Sequence, residues 1–430
     1  MAVRLSEDDS DFETRFQALL SAKREVAADV DRAARAIIED VRSRGDIALI
    51  EYTEKYDRLA LTPDQLAISQ EAMDAAEQAV SPKDRDALLF ARDRIAAHHR
   101  RLMPADDRYT DELGVELGTR WTAIEAVGLY TPGGTAAYPS SVLMNAVPAK
   151  VAGVERIVMT VPTPPGVTSP LVLFAARIAG VDEVYRVGGA QAVAALAYGT
   201  ETIRPVAKIV GPGRDYVAAA KRLVFGTVGI DMIAGPSEVL IVADADNDPD
   251  WLAADLLAQA EHDAAAQSVL ITDSSDLANG VAEAVERQLK TLPRGKVAAG
   301  SWSDHGAIIV VKSLAKAMEL ANRMAPEHIE LAVEDPEALL MRLRNAGSAF
   351  LGRYTPEAIG DYVGGPNHVL PTARSARFSS GLSVHDFLKR TSILKLGPDQ
   401  LGALGGAAVT LAEAEGLDAH ARSVSIRLNR

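Results

Sequence analysis

The first hundred residues carry apolar positions at helical spacing. The segments SAKREVAADVDRAARAIIEDVRSRGDIALIEYTEKYD and ISQEAMDAAEQAVSPKDRDALLFARDRIAAHHRRL repeat apolar side chains every three or four residues, which predicts amphipathic helices. His98 and His99 end the second segment beside two arginines, where cationic side chains favour a helix C-terminus. We interpret this part of the chain as a helical scaffold.

From Ala123 onward, short apolar runs alternate with helix-like segments. The strand-like runs are AIEAVGLY, VERIVMTVP, EVYRVGG, AKIVG and SEVLIVAD, and then, in a second series, QSVLITD, GAIIVV, IELAVE and SAFLG. Such runs are typical of parallel strands that helices cover on both faces. The pattern predicts two successive α/β layers, and the turn formers of ADADNDPD place their boundary near Ala243 to Pro249.

The remaining segments are predicted to be helical. PEALLMRLRNAG precedes the last strand-like run, and VHDFLKRTSILKL, PDQLGALGGAAVTLAEAEG and DAHARSVSIRL follow Gly381. The tail after Gly381 is short for an independent core. We therefore expect it to pack on the body of its own chain or on a second subunit.

Composition and charge narrow the class of protein. The 430 residues, 48% hydrophobic and 24% charged, exceed what one hydrophobic core usually organises, so two large domains are expected. A net charge of −14 argues against nucleic acid and anionic membranes as partners. The N-terminal residues lack the apolar stretch of a secretory signal, and no run approaches the roughly 20 apolar residues that span a bilayer. We expect a cytoplasmic protein that acts on a small molecule.

The chain contains no cysteine and eight histidines. Disulfides, thiolate nucleophiles and cysteine-ligated zinc are therefore excluded. Any metal site must use nitrogen and oxygen ligands, which suits zinc or manganese.

Two short segments offer such ligands together with groups that transfer protons. Gln259 and His262 in LLAQAEHD are three residues apart, so on a helix they would share one face; a polar face open to solvent is the alternative. Glu327 and His328 in PEHIELAV stand where a helix ends and a strand begins. An adjacent carboxylate and imidazole can divide proton transfer between them, although solvated surface pairs of this kind are common.

Further candidates follow in the last quarter of the chain. Asp361 lies in the glycine-rich segment AIGDYVGGPNHVLPT, and Glu415 and His420 flank a glycine in AEGLDAHARSV. The glycine-rich turns VGGAQAVAAL and IVGPGRDYVAAAK each follow an apolar run and open a helix, so their backbone N–H groups could hold a phosphate. Neither is a G-x-G-x-x-G fingerprint, and tight strand-to-helix turns remain the alternative interpretation.

Together these motifs resemble the histidinol dehydrogenase family over nearly the whole chain. The motifs that occur in the family's order are YTPGG, AYPSSVLMNAVPAKVAGV, GGAQAVAALAYGT, DMIAGPSEVLIVAD, LLAQAEHD, PEHIELAV, GDYVGGPNHVLPT and EGLDAHA. The resemblance implies an α/β fold with two incomplete Rossmann-like parallel-sheet domains and small helical terminal segments, assembled as an intertwined homodimer. The implied division is a helical segment 1–25, a first α/β domain from 26–129 and 240–381, a second from 130–239, and a helical tail 382–430 exchanged onto the partner subunit.

The resemblance also implies roles for individual residues. One zinc ion per subunit would be held by Gln259, His262, Asp361 and, from the partner subunit, His420. Glu327 and His328 would transfer protons. The residues expected to contact the substrate are Ser237, Gln259, His262, His328, Asp361, Glu415 and His420. NAD would contact Tyr130, Gln191 and Arg214, although the family commonly has asparagine where this chain has Arg214, followed by Asp215. A charged guanidinium fork has a different geometry, so cofactor affinity or preference is expected to differ here. The alternative is that Asp215 neutralises Arg214 and leaves it structural.

The implied reaction is the NAD-dependent oxidation of L-histidinol through L-histidinal to L-histidine, the last step of histidine biosynthesis. One alternative is a zinc- and NAD-dependent dehydrogenase of the same superfamily that acts on another alcohol, such as a sulfonated propanediol; Glu415 and His420 favour the imidazole-bearing substrate. A second alternative is a zinc hydrolase, in which metal-bound water is the nucleophile and NAD is not needed. A catalytically silent binding protein would have no need of the proton-transfer pair.

Overall fold

The computed structural model describes residues 2–21, 28–133, 138–164, 169–213, 215–233 and 235–428. Arg214 lies outside these residues, so its predicted contact with NAD stays a prediction. The described elements form two parallel sheets flanked by helices and one antiparallel sheet. Within the described ranges, no helix is long and apolar enough to cross a membrane.

The larger sheet has six parallel strands. They are β1 (Val3–Ser6), β9 (Glu238–Ala243), β10 (Gln267–Thr272), β11 (Ala307–Val310), β12 (His328–Ala332) and β13 (Ser348–Leu351). Their order is β1-β11-β10-β9-β12-β13, so β9 to β13 follow the order 3-2-1-4-5 of a doubly wound α/β fold. The helices of this part are α1 (Phe12–Ser21), α10 (Pro249–Ala260), α11 (Ser275–Gln288), α12 (Gly295–His305), α13 (Leu314–Met324), α14 (Pro336–Leu340) and α15 (Glu357–Tyr362).

The smaller parallel sheet repeats this order with five strands. They are β4 (Ala126–Tyr130), β5 (Arg156–Thr160), β6 (Glu183–Tyr185), β7 (Lys208–Val210) and β8 (Gly229–Ile230). The order is β6-β5-β4-β7-β8, so β5 and β6 lie on one side of β4, and β7 and β8 lie on the other. The carboxyl ends of β4 and β7 are therefore the topological switch point. The helices between these strands are α6 (Pro139–Ala152), α7 (Pro170–Ala179), α8 (Gly189–Tyr198) and α9 (Asp215–Val224).

The N-terminal helices pack on the helices that flank the five-stranded sheet. They are α2 (Ala28–Arg44), α3 (Asp46–Asp57), α4 (Gln70–Ala79) and α5 (Pro82–Arg101). Ile37 and Val41 of α2 share a buried cluster with Val193 and Leu196 of α8. These helices therefore pack with the layer formed by 130–239, and the domain division implied by the resemblance, which joins 26–129 to 240–381, stays a prediction. Helical periodicity shows which face of a helix is buried, but not which sheet covers it.

The third sheet is antiparallel and corrects one prediction. It consists of β2 (Asp107–Thr110), β3 (Glu116–Ala123) and β14 (Leu388–Lys395). The segment VHDFLKRTSILKL is predicted to be helical from its sequence. In the structure, its residues Leu388–Lys395 form β14, and all of them pair with β3. Most side chains of β14 are exposed, so the strand lacks the continuous apolar run by which the buried strands are recognised.

Three further boundaries differ from the sequence analysis. The change of sheet occurs before Glu238 and not near Ala243 to Pro249, because β9 pairs with β10 and β12. Residues 3–6 form β1, which pairs with β11, although 1–25 was predicted to be helical. The helix predicted in PEALLMRLRNAG ends at Leu340.

The chain ends in a helical hairpin, as predicted. Its helices are α16 (Pro398–Ala414) and α17 (Asp418–Leu428), and they pack against each other. Leu411, Leu417 and Ile426 of this hairpin are exposed at 64%, 42% and 57%. The hairpin therefore presents apolar side chains that the described part of its own chain leaves uncovered.

Candidate functional site

The predicted proton-transfer pair lies at the amino end of the six-stranded sheet. Helix α13 ends at Met324, and Ala325 takes a left-handed conformation (φ 48°) that turns the chain into β12. Glu327 precedes this strand and His328 is its first residue, paired with Val239 and Ser348 of the neighbouring strands. Both side chains are buried. The turn after α13 thus places a carboxylate and an imidazole in the interior of the protein.

The surroundings of the His328 ring define its protonation. Its Nδ1 atom lies 3.0 Å from the carbonyl oxygen of Glu238. A carbonyl oxygen can only accept, so Nδ1 carries the proton and Nε2 keeps a lone pair. Burial is the main cause that lowers the pKa of His328 from 6.5 to about 4. At neutral pH this imidazole is therefore an uncharged base, and its buried Nε2 has no hydrogen-bond partner among the described residues.

Several carboxyl groups surround this imidazole. Oε2 of Glu327 accepts the backbone N–H of Glu238 at 2.8 Å and lies 3.8 Å from Nδ1 of His328. Glu357 approaches the same nitrogen to 3.4 Å. Burial, followed by the charge of Asp361, raises the pKa of Glu357 well above its usual range. The site therefore holds carboxyl groups in different environments next to one neutral base.

A pair of acidic side chains lies beyond Glu357. Glu330 accepts the backbone N–H of Glu357 at 2.7 Å, and its carboxyl group is hydrogen-bonded to that of Asp255. Burial raises the pKa of Glu330 well above its usual range and that of Asp255 to about 6. Each group therefore holds its proton to a higher pH than an exposed carboxyl group does, which reduces the charge buried behind Glu357.

Asp361 and His368 line the same cavity as His328. Asp361 lies on α15, and its Oδ1 atom is 3.9 Å from Nε2 of His328 and 3.8 Å from Nδ1 of His368. These three side chains line a cavity of about 260 Å³ together with Arg94 and Phe350. The cavity is large enough for a small polar molecule beside the free nitrogen of His328.

Three of these side chains could also hold a metal ion. Donor atoms of His328, Glu357 and Asp361 lie within 4.8 Å of one another. This group shares only Asp361 with the predicted zinc ligands. In the structure, Glu327, Glu357 and Asp361 all lie within 4 Å of His328, and of these three only Glu357 was not predicted from the sequence.

The other two predicted zinc ligands of this region lie at the end of α10. Asp248 caps the start of that helix, with Pro249 at its first position. The helix ends at Ala260, so His262 follows in a turn and does not share a helix face with Gln259 as expected. The His262 charge nevertheless lowers the pKa of both His328 and His368, which places it near them. Gln259 is 1% exposed, and neither polar atom of its side chain has a hydrogen-bond partner among the described residues.

The remaining predicted substrate contacts lie apart from one another. Ser237 is half-buried directly before Glu238, close in sequence to the backbone that bonds Glu327 and His328. Glu415 and His420 are exposed on the C-terminal hairpin. They are not part of the metal-type cluster that the described residues of the chain assemble.

Tyr130 and Gln191, two of the three predicted cofactor residues, lie at the carboxyl ends of the five-stranded sheet. Tyr130 is the last residue of β4, and its buried hydroxyl oxygen accepts the N–H of Gly189 at the start of α8 at 3.1 Å. Burial raises the pKa of Tyr130. Gln191 is buried in the first turn of α8. Tyr130 and Gly211, which follows β7, mark the switch point where doubly wound sheets bind their ligands.

The corresponding rim of the six-stranded sheet is filled by protein. The Asp244 carboxylate, after β9, accepts two hydrogen bonds of 2.7 Å from Arg353 and one of 2.8 Å from the N–H of Glu334. Asn247 donates to the carbonyl oxygen of Ala332 at the end of β12. The two groups of residues therefore lie at opposite ends of their strands. Tyr130 lies at the carboxyl end of its strand in the five-stranded sheet, whereas His328 lies at the amino end of its strand in the six-stranded sheet.

Known proteins resemble this chain in both sequence and fold. The sequence profile described as histidinol dehydrogenase matches residues 20–428. The histidinol dehydrogenases of Mesorhizobium japonicum and Brucella suis are each 68% identical to this chain over 429 residues, covering 100% of both chains. The chain therefore belongs to the histidinol dehydrogenase family. Its fold matches the crystal structure of histidinol dehydrogenase from Elizabethkingia anophelis with a TM-score of 0.95 and 36% identity, over 99% of this chain and 98% of that one.

Membership of the histidinol dehydrogenase family makes the chain an oxidoreductase and confirms the α/β fold expected from the resemblance. Four residues of the site were not singled out in the sequence: Glu238, Glu330, Glu357 and His368. Glu238 and Glu330 stand inside the apolar runs SEVLIVAD and IELAV. A carboxylate within a strand that is buried on both faces needs a partner, and that signal could have identified both.

Proposed function

We propose that this member of the histidinol dehydrogenase family oxidises L-histidinol through L-histidinal to L-histidine, using NAD and one zinc ion per subunit in the cytoplasm. The observation that carries the proposal is the buried, neutral imidazole of His328, whose Nε2 has no hydrogen-bond partner among the described residues and lies beside Asp361 in a cavity. A base of this kind can accept the proton of an alcohol while hydride leaves the same carbon.

The described residues fit a zinc ion. A buried amide without a hydrogen bond is costly, so the side chain of Gln259 is suited to a partner from outside the protein. A carboxamide oxygen, an imidazole and a carboxylate oxygen are all ligands that zinc accepts. We assign Gln259, His262 and Asp361 as ligands, with His420 of the partner subunit as the fourth. The nearby group of His328, Glu357 and Asp361 shares Asp361 with this set, but a metal-bound His328 could not act as the base.

The carboxyl rim of the five-stranded sheet fits NAD. It supplies Tyr130 and Gln191 at the switch point, and α8 begins at glycines without a side-chain cap. Backbone at glycine can approach a dinucleotide closely, as in other doubly wound folds. Arg214 belongs to this assignment through its place in the GPGRD segment.

His328 serves both oxidations, and Glu327 serves the hydration of the aldehyde that lies between them. When bound, NAD accepts hydride and zinc holds and polarises the substrate. His328 Nε2 takes the alcohol proton in the first oxidation, while its Nδ1–H remains bonded to the carbonyl oxygen of Glu238. Glu327 takes a proton from the water that hydrates the aldehyde. His328 returns its proton to the aldehyde oxygen as water adds, and the neutral imidazole then takes a proton from the hydrate in the second oxidation, which leaves the carboxylic acid.

The exposed surface of the C-terminal hairpin supports the proposal that the protein is a homodimer. Its exposed apolar side chains lack a cover within the described chain, and Glu415 and His420 are exposed beside them. Exchange of the hairpin onto a second subunit would bury these side chains and bring both polar residues to the partner's site.

The test is a stoichiometric assay with L-histidinol and NAD. We expect two NADH for each histidine formed, loss of turnover after chelation, and recovery with zinc. A chain that hydrolyses an ester or amide without forming NADH would contradict the proposal. So would zinc-loaded, folded protein that leaves histidinol unchanged.

A further inference from the structure

Lys221 and Asp231 form a buried ion pair at the carboxyl rim of the five-stranded sheet. Lys221 lies on α9, Asp231 follows β8, and their side chains are 3% and 1% exposed. Removing two charges from water is costly, and their attraction compensates only when further hydrogen bonds satisfy both groups. The partners of these hydrogen bonds therefore show what the pair holds in place.

Both members of the pair bind the same residue. Nζ of Lys221 donates to the carbonyl oxygen of Gly211 at 2.8 Å. The N–H of Gly211 donates to Oδ2 of Asp231 at 2.8 Å, and Oδ1 of Asp231 accepts the N–H of Met232 at 2.6 Å. The cation thus holds the carbonyl group of Gly211 and the anion holds its amide, so the peptide groups on either side of Gly211 are restrained.

Gly211 occupies a demanding position. It begins the Gly211–Pro212–Gly213 turn between β7 and α9, with a φ of 112° that favours glycine. A Cβ atom at Gly211 would overlap the carbonyl oxygen of Tyr130. The backbone of this turn therefore lies directly against the end of β4, at the switch point of the sheet.

We propose that Lys221 and Asp231 are positioning residues for NAD: they hold the turn at Gly211 against Tyr130 in the conformation that the dinucleotide requires. The inference rests on the proposed function, which assigns NAD to this rim. Neither side chain is accessible to the cofactor, so both act through Gly211. We expect the effect on cofactor binding and not on substrate binding, because His328 and Ser237 of the proposed substrate site lie at the amino ends of the other sheet.

The test compares NAD binding with substrate binding in the Lys221→Met variant of the full chain. We expect the Kd for NAD, measured by titration calorimetry, to rise about tenfold, the loss typical of a hydrogen bond to a charged group. The KM for histidinol at saturating NAD should change less than about twofold, since its site is on the other sheet.

The matched control is Arg156→Met in the same sheet. Arg156 pairs with Glu183 at 2.7 Å, but both residues start their strands, at the rim away from Gly211. This variant should unfold at a lower temperature and keep the wild-type Kd for NAD. If Lys221→Met loses only thermal stability and keeps a wild-type Kd, as the control does, the inference is wrong.

A second variant decides the matter if Lys221→Met does not fold. Lys221→Arg keeps the charge but changes the donor geometry, so we expect a folded protein with a Kd for NAD raised about threefold. An unchanged Kd in folded Lys221→Arg overturns the positioning role. If the wild-type chain does not bind NAD, the proposed function is wrong. If the wild-type chain binds NAD and the Lys221 variants bind it equally well, only the positioning role is wrong.

Discussion

The ring of His328 is oriented by the backbone of Glu238, whose carbonyl oxygen lies 3.0 Å from Nδ1. This contact selects the tautomer in which Nε2 is the base. The same peptide segment also donates its N–H to Glu327. A single residue of β9 therefore orients both proton-transfer side chains, one through its carbonyl oxygen and the other through its amide.

The first prediction concerns the base. His328→Asn should lower kcat for histidinol about 10³-fold, within the range for loss of a general base, and leave the Kd for NAD unchanged because the proposed NAD site is on the other sheet. Steady-state kinetics and calorimetry measure the two quantities. His385→Asn, which changes an exposed histidine beside Trp121, is the control. A kcat that falls no more than in this control would exclude His328 as the base.

The second prediction separates the two oxidations. In Glu327→Gln, the amide oxygen can still accept the N–H of Glu238, but it cannot take a proton from water. We expect oxidation of histidinal to slow at least about tenfold more than oxidation of histidinol. Single-turnover NADH formation from each substrate measures both steps, with Glu334→Gln at the opposite end of β12 as the control. Equal losses in the two steps would refute this division.

The third prediction concerns the metal. Gln259→Ala removes a buried side chain whose polar atoms have no partner in the described structure, so zinc affinity should fall at least about tenfold. Metal analysis after dialysis against a graded chelator measures the affinity. Gln288→Ala, on the neighbouring helix α11, is the control and should retain zinc. Wild-type zinc retention by Gln259→Ala would remove Gln259 from the ligand set.

The fourth prediction tests whether His420 acts across the subunit interface. His262→Ala and His420→Ala homodimers should both be inactive. If His420 acts across the interface, a hybrid dimer of the two variants has both changes in one site and neither change in the other. When equal amounts of the two variants are unfolded and refolded together, about half of the dimers are hybrids, so the mixture should recover about a quarter of wild-type activity. A mixture that stays inactive, while wild-type protein survives the same treatment, would show that His420 serves its own subunit.

The fifth prediction is a dependence of stability on pH. Arg156 is the main cause that lowers the pKa of Glu183 from 4.5 to about 2. A lowered carboxyl pKa contributes stability above pH 4.5, and this contribution is lost as the pH falls toward 2. Glu183→Gln should therefore be less stable than wild type by about 2 kcal/mol at pH 7, with a smaller difference at pH 3. Urea unfolding at both values measures it, and a difference independent of pH would contradict the assignment.

The sequence predicted the buried strands well because each is an apolar run between turn formers. It failed at β14, where LKRTSILK is an exposed strand whose pairing with β3 is a tertiary contact. The same limit applies to the site. Glu327 and His328 are adjacent, so their partnership can be inferred, whereas Glu238 and Glu357 reach His328 from other elements. Spacing along the chain cannot give such contacts, and the family resemblance supplied those that were predicted.

The opposite rims of the two sheets have a consequence for protein engineering. Because the Asp244 network closes one switch point, the proposed sites assign one reactant to each half of the protein. Changes at the turn after β7 should alter the choice of dinucleotide without altering the choice of alcohol, and changes around Asp361 should do the reverse. The architecture thus separates two specificities into modules that can be redesigned one at a time.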